Sequence, residues 1–377
     1  VIFKMSVTIP PTMKAIVLSG PYEVATVTRK SPKIIDPTDV ILKVKYSGLC
    51  GTDLHTYRGH IKLGSKDQII GHEFLGTIVS KGSEVSDLDF QIGDDVLSTF
   101  TIQCGECWYC KHGYSGQCER TNTFGKVGLD GGQAEYVRVP YAKSTLIKKP
   151  KGNSIEDDAV YVMMADIFIT GYYGVKKILN HLKNESADSC MKQDVKDVTI
   201  LQLGVGPVGL CALRVLKHFG FEKVVCVDSV ESRLEEAKRF GAFETINFET
   251  EKDGVAKFIK ESTHNVGFDV VLEVVGASSA LKTAYDSVRG NGFICSIGMA
   301  HDPLPFTGLE CYLKNVNISF GRCHAWSLFP EALDLFEVLK PDFTKFIDCK
   351  LGLDESKKAF EMFDKHEVNK VVFDLTK

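Results

Sequence analysis

The spacing of apolar positions changes character once along the chain, near Val198. Before that point it is mostly of period two. Met13–Leu18 reads as a strand, and Asp39–Tyr46 alternates with period two, which predicts a strand with one face buried. Pro32 and Pro37 lie in the connection between them. Thr77–Val79, Phe90–Leu97 and the turn-plus-strand Gly128–Val139 continue the pattern. It ends at the Lys-Pro-Lys-Gly stretch closing on Gly152, so the first region reads as an antiparallel β domain. From Ser154 the pattern turns helical, with Ser154 placed as a cap ahead of an acidic first turn. Asp166–Leu179 is apolar and punctuated by glycine. Residues 181–195 are polar and aperiodic and predict an exposed loop.

After Val198 the runs alternate between strand and helix. Val198–Leu203 is a buried strand, followed at once by Gly204, Gly206, Pro207, Val208 and Gly209 and then by a helix to Gly220. A second strand, Lys223–Val227, ends at Asp228. A glycine fingerprint that follows a strand, opens a helix and has an acidic residue about 20 positions on is the dinucleotide-binding arrangement. Gly204 allows the tight turn, Gly206 the approach of a pyrophosphate, and Gly209 close helix–strand packing. The helix N-terminus carries partial positive charge for the phosphates. Asp228 is placed to accept hydrogen bonds from the adenosine ribose and to repel a 2′-phosphate, which favours NAD over NADP; Arg233 nearby weakens that preference. Strands at Glu244–Phe248, Phe268–Gly276, Gly292–Gly298 and Asn315–Phe320, with helices between, complete a parallel sheet. Helices at Pro330–Leu339 and Glu355–Phe363 and a strand at Lys370–Asp374 leave the repeat, as a return to the first domain would.

Length and composition narrow the function classes. A chain of 377 residues exceeds one usual hydrophobic core. A net charge of −4 offers no electrostatic footprint for nucleic acid or an anionic membrane. No apolar run reaches the roughly 20 residues of a spanning helix. The stretch Val1–Met5 lacks the length and cleavage site of a signal peptide, and Met5 is placed as the native start. Of 12 Cys, a cluster rather than a disulfide framework stands out, which points to a reduced, cytoplasmic setting.

That cluster is Cys104, Cys107, Cys110 and Cys118. Four thiolates at this spacing predict a closed, structural zinc site. A nucleic-acid zinc ribbon would need two separated knuckles and a basic surface, and the sequence has neither. A second constellation starts at Cys50 and runs through Thr52, Asp53 and His55. Alone it is weak, since a lone Cys is usually a small buried hydrophobe. It gains weight from His72 and Glu73 in the run Gly71–Gly76 and from Asp166.

Taken together, the Cys50–His55 run, the Gly71–Gly76 run, the four-Cys cluster and the glycine turn, in that order, resemble the zinc-dependent medium-chain alcohol dehydrogenases over nearly the whole chain. The resemblance implies an α/β fold: a GroES-like β domain plus a Rossmann doubly wound parallel sheet. It places a catalytic domain at 1–165, an NAD-binding domain at 166–315 and a C-terminal return at 316–377. It implies catalytic zinc ligands Cys50, His72 and Asp166, with Glu73 as an alternative ligand. Asp166 stands where many members carry Cys, and an aspartate there makes the site harder in character.

The resemblance also assigns roles. Thr52 takes the substrate proton and His55 passes it to solvent. Asp53 orients His72. Lys370 contacts the cofactor pyrophosphate. Phe100 and Tyr57 are candidates to wall the pocket, and ordinary core packing accounts for either at least as well. The activity implied is reversible oxidation of an alcohol to an aldehyde or ketone with NAD. Polyol, threonine and formaldehyde dehydrogenases share most of these motifs. A non-enzymatic zinc-binding module is the reading from another class, and it leaves Cys50, His72 and the glycine turn unused. The resemblance implies a homotetramer or homodimer, and the short segment after Cys118 resembles the tetrameric members more than the dimeric ones.

Overall fold

The computed structural model describes residues 8–62, 64, 67–150, 155–188 and 194–377. Met5, Ser154 and residues 189–193 of the expected loop lie outside them. The chain divides into two compact units, Val1–Ile169 with His324–Lys377, and Thr170–Cys323. The boundaries therefore fall at 169/170 and 323/324 rather than at 165/166 and 315/316.

In the first unit the alternating runs build a seven-stranded sheet. Its spine is Val40–Gly48, which pairs antiparallel with Glu73–Lys81, with Tyr136–Val139 and with the C-terminal strand Val371–Asp374. That last pairing brings the C-terminal segment into this unit. Cys349–Leu351 joins Val371–Asp374 in parallel. A three-stranded sheet of Glu23–Lys30, Thr12–Gly20 and Gln68–Ile69 lies beside it in sequence order. The inward positions of the spine, Val40, Leu42 and Val44, pack with Phe74, Ile78 and Phe124. Phe74 and Phe124 meet edge to face at 4.9 Å, a favourable arrangement of ring quadrupoles.

The second unit is a six-stranded parallel sheet. Its order runs Glu244–Asn247, Lys223–Asp228, Thr199–Leu203, Phe268–Glu273, Val288–Ser296, Asn317–Phe320. Strand order reverses at Thr199–Leu203, which makes its carboxyl end the switch point where doubly wound sheets bind ligands. The strand is flanked by parallel strands on both sides and buried from Ile200 to Leu203, with Gln202 the one polar side chain among those positions, against the near-continuous apolar run usual for a central parallel strand.

Two local expectations are corrected. The helix Ile167–Asp188 carries on through 181–188, where the sequence predicts loop. Val175, Ile178, His181 and Glu185 fall on one face at helical spacing. His181 stacks on Phe293 at 4.2 Å, and Glu185 approaches Arg289 at 3.9 Å. Polar residues thus supply the packing that a hydropathy pattern looks for in apolar ones. Ahead of it, Ile155–Ala165 is a 3₁₀ helix rather than an α-helix.

Candidate metal centre and dinucleotide turn

Cys50 is the extended residue before the short helix Gly51–Tyr57. Asp53, at the third helical position, turns back so that its Oδ2 accepts the Cys50 N–H at 3.1 Å. This fixes the start of the helix in the manner of a capping box. The same carboxylate's Oδ1 lies 3.4 Å from His72 Nδ1. With Nδ1–H directed at Asp53, the lone pair of Nε2 is left facing Asp166 Oδ2 at 3.2 Å. Cys50 Sγ lies 3.6 Å from the same Oδ2 and 3.8 Å from Thr52 Oγ1. Ligand atoms of Cys50, His72, Glu73 and Asp166 all fall within 4.8 Å of one another. The structure therefore brings together residues 116 positions apart in the chain.

The donor set fits a zinc ion on geometry and on charge. Tetrahedral zinc with ordinary bond lengths has S···O edges of about 3.6 Å and N···O edges of about 3.4 Å. The observed separations are 3.6 and 3.2 Å. Cys50, His72 and Glu73 are buried, and Asp166 is half-buried. Buried acids collected around one imidazole without a cation would be costly. Burial opposes charge on His72, yet Asp53, Cys50 and Asp166 hold its pKa well above the usual histidine range. Burial likewise pushes the Cys50 thiol up, with Glu73 and Asp166 adding to it. Both shifts mark a site that lacks positive charge. Glu73 Oε1 is also buried without a hydrogen-bond partner among the described residues.

Lys370 departs from expectation. It is 0% exposed, and its Nζ donates to Leu49 O at 3.0 Å and to Glu73 Oε2. Burial disfavours its charge, but the Glu73 carboxylate holds the ammonium protonated. Two of its three donors are thus used inside the first unit, at the position that the resemblance matches to a pyrophosphate contact. Tyr57 follows the core-packing alternative: it is buried, with its ring 4.9 Å from Tyr22 and 5.1 Å from Phe360. Phe100 is buried, donating its N–H to Ala165 O at 3.1 Å. His55 is half-buried on the Gly51–Tyr57 helix, its ring 6.0 Å from that of His60.

One contributor lies outside the sequence motifs. Gln133 is fully buried and donates Nε2 to Gly48 O at 3.2 Å and to Asp53 Oδ2 at 3.4 Å. It helps to fix the carboxylate that fixes His72. Nothing in its neighbourhood in the sequence signals a partner 80 residues away.

The four-Cys lobe forms a second cluster whose sulfurs lie within 4.8 Å of one another. Cys104 and Cys118 Sγ are 3.6 Å apart, against about 3.8 Å for the edge of a zinc–thiolate tetrahedron and about 2.05 Å for a disulfide. Backbone amides point at the sulfurs: Cys104 N–H to Cys118 Sγ at 3.3 Å, Cys107 N–H to Cys104 Sγ at 3.4 Å, Arg120 N–H to Cys118 Sγ at 3.4 Å. Such donors stabilise thiolate. The amides of Glu119 and Cys110 lower the Cys107 pKa to about 6.

In the second unit the glycine turn has its expected form. Gly204 sits at φ +93°, a conformation side chains resist. Pro207 opens the helix Pro207–His218, with Val208 and Gly209 in its first turn. A Cβ on Gly209 would lie 2.2 Å from Gly204 O, so no larger residue fits. Asp228, at the end of Lys223–Asp228, does more than the sequence indicates. Its Oδ2 accepts the Val205 N–H at 2.9 Å, and its Oδ1 accepts those of Ser229 and Val230 at 2.8 and 3.0 Å. The Arg233 guanidinium lies against Gly206, within 3.8 Å of where a Cβ would be.

Known proteins are similar to this chain over most of its length. Residues 36–151 match the model of the alcohol dehydrogenase GroES-like domain, and residues 207–338 that of the zinc-binding dehydrogenases. A zinc-type alcohol dehydrogenase B of Aspergillus flavus is 41% identical over 99% of this chain and 83% of its own length. An L-threonine 3-dehydrogenase of Shewanella baltica is 29% identical over 86% of this chain and 91% of its own. The solved alcohol dehydrogenase of Thermus sp. ATN1 superposes with a TM-score of 0.84 at 30% identity, covering 96% of this chain and 99% of that one.

Proposed function

The chain belongs to the zinc-dependent medium-chain alcohol dehydrogenases, and from that premise we propose that it oxidises a small alcohol to an aldehyde or ketone, reversibly, with NAD. The observation that carries the proposal is the cluster of Cys50, His72 and Asp166, whose ligand atoms fall within 4.8 Å of one another, three protein ligands as in a catalytic zinc site. When bound, zinc would supply a Lewis acid for the substrate oxygen and NAD a hydride acceptor.

The chain's own residues do the rest. Cys50, His72 and Asp166 hold the cation, and the buried Glu73 offers an alternative ligand. Asp53 keeps His72 in the tautomer that presents Nε2. Thr52, whose hydroxyl stands 3.8 Å from Cys50 Sγ, takes the substrate proton, and His55 on the same helix passes it to solvent. Cys104, Cys107, Cys110 and Cys118 hold a second, structural ion. Backbone amides of the turn at Gly204–Gly209 and the helix start at Pro207 receive the pyrophosphate. Asp228 receives the ribose.

Threonine oxidation is a second reading, favoured by the Shewanella relative, which is named for it. Assembly as a homodimer or homotetramer belongs to the proposal. So does a cytoplasmic location, which fits the unbridged state of all the described cysteines. No helix among the described residues is long and apolar enough to cross a membrane.

The test is metal analysis together with a panel of primary, secondary and polyhydric alcohols, L-threonine included. About two zinc ions per chain and alcohol-dependent NADH formation are expected. A zinc-loaded protein that reduces NAD with none of these substrates would sink the proposal.

Cofactor choice gives a narrower prediction. Asp228→Gly would strip acceptors from the amides of Val205, Ser229 and Val230 and loosen the turn. Asp228→Asn keeps one acceptor oxygen, enough for the Ser229 and Val230 amides, and removes the charge together with the acceptor for Val205. Its kcat/KM ratio for NAD over NADP is expected to fall about tenfold, since like-charge repulsion of a 2′-phosphate is lost. An unchanged ratio would assign ribose reading to another residue.

A further inference from the structure

The central strand Thr199–Leu203 holds one fully buried polar side chain, Gln202. Its buried neighbours in the strand are Ile200, Leu201 and Leu203, so an apolar residue would serve as filler. Gln202 carries an amide into that core and meets the desolvation cost of doing so. Its Nε2 lies 2.8 Å from Gly209 O and 3.1 Å from Gly204 O. Both partners are acceptors, so the group between them is the NH2. Its Oε1 has no partner among the described residues. The amide is thus held by the two carbonyls alone.

Those carbonyls belong to the first and last glycines of the turn. Gly204 O already stands against Gly209, where a Cβ would come within 2.2 Å of it. Gln202 closes this contact from inside the sheet. On the other side, Asp228 Oδ2 takes the Val205 N–H. The turn is therefore fixed from two directions before any ligand arrives.

We propose that Gln202 is a positioning residue for the dinucleotide: it clasps both ends of the glycine turn and sets the direction of the amides that receive the pyrophosphate. This rests on the NAD reading above. A turn already ordered loses less freedom on binding, so the clasp acts through affinity rather than through the chemical step. Gln202 touches no reacting atom.

Gln202→Met keeps the volume and removes the donor. Titration calorimetry with NADH and with ADP-ribose is expected to show Kd raised about tenfold for both, the scale of one buried hydrogen-bonding group. KM for NAD should rise in step, with kcat and zinc per chain unchanged. A packing role alone would lower Tm and leave the Kd of the folded protein where it was. Gln202→Asn retains the amide but falls one methylene short, and the same loss is expected. Either folded variant binding NADH within twofold of wild type overturns the assignment. A wild type that binds neither NADH nor NADPH overturns the dinucleotide reading itself and is seen without any variant.

Discussion

Cys50→Ala is expected to release one of two zinc ions per chain and to lower kcat/KM for alcohol oxidation on the order of 10³-fold or more, the scale seen when a group stabilising developing charge is removed. The sulfur is one corner of a cluster whose other corners, His72 Nε2 and Asp166 Oδ2, are 3.2 Å apart. Without it two firm ligands remain, and Glu73 is engaged with Lys370. The four-Cys lobe shares no residue with this cluster, so its ion should stay. Binding of NADH should also survive, because the glycine turn belongs to the other unit. Zinc falling from about two to about one with NADH affinity intact is therefore the full signature. Loss of both ions would mean that the first unit had unfolded. Retained activity would remove Cys50 from the site.

How much of this could be read from the sequence depends on the distance over which each signal acts. Cys50, Thr52, Asp53 and His55 stand out because the helix Gly51–Tyr57 packs their roles into one turn and a half. The four Cys are legible for the same reason. The glycine turn shows because its residues are conformationally exacting: Gly204 at φ +93° and Gly209 with no room for a Cβ. Asp166 is legible only through resemblance, since its partners lie 94 and 116 residues away.

The misreadings share a cause: burial and pairing are set by distant chain. Lys370 is matched by resemblance to a cofactor contact, and the sequence gives no hint that Glu73, 297 residues earlier, is its partner. Tyr57 reads equally as pocket wall or core until Phe360 packs on it. Residues 181–188 look like loop because hydropathy does not credit a histidine stacked on Phe293. Gln202 did carry a local signal, an amide inside an otherwise apolar strand. Such a residue has to find partners, and it finds them in the turn just ahead of it.

Lys370→Met turns the largest of these misreadings into an experiment. Lys370 and Glu73 are both 0% exposed, and the pair is a buried ion pair. Removing one member strands the other's charge, which typically costs about 3–5 kcal/mol. The urea midpoint of the first unit should fall accordingly. The loss should be deepest in zinc-free protein, where the Glu73 carboxylate has no other cation at hand. Glu73→Gln with Lys370→Met should recover most of it, because the neutral pair leaves no stranded charge; the difference from the summed single variants measures the coupling. NADH affinity should stay within about threefold of wild type, a change of under roughly 1 kcal/mol. A lysine that bound the pyrophosphate would give the opposite pattern. Stability would hardly change, Kd for NADH and for ADP-ribose would rise together, and Glu73→Gln would rescue nothing.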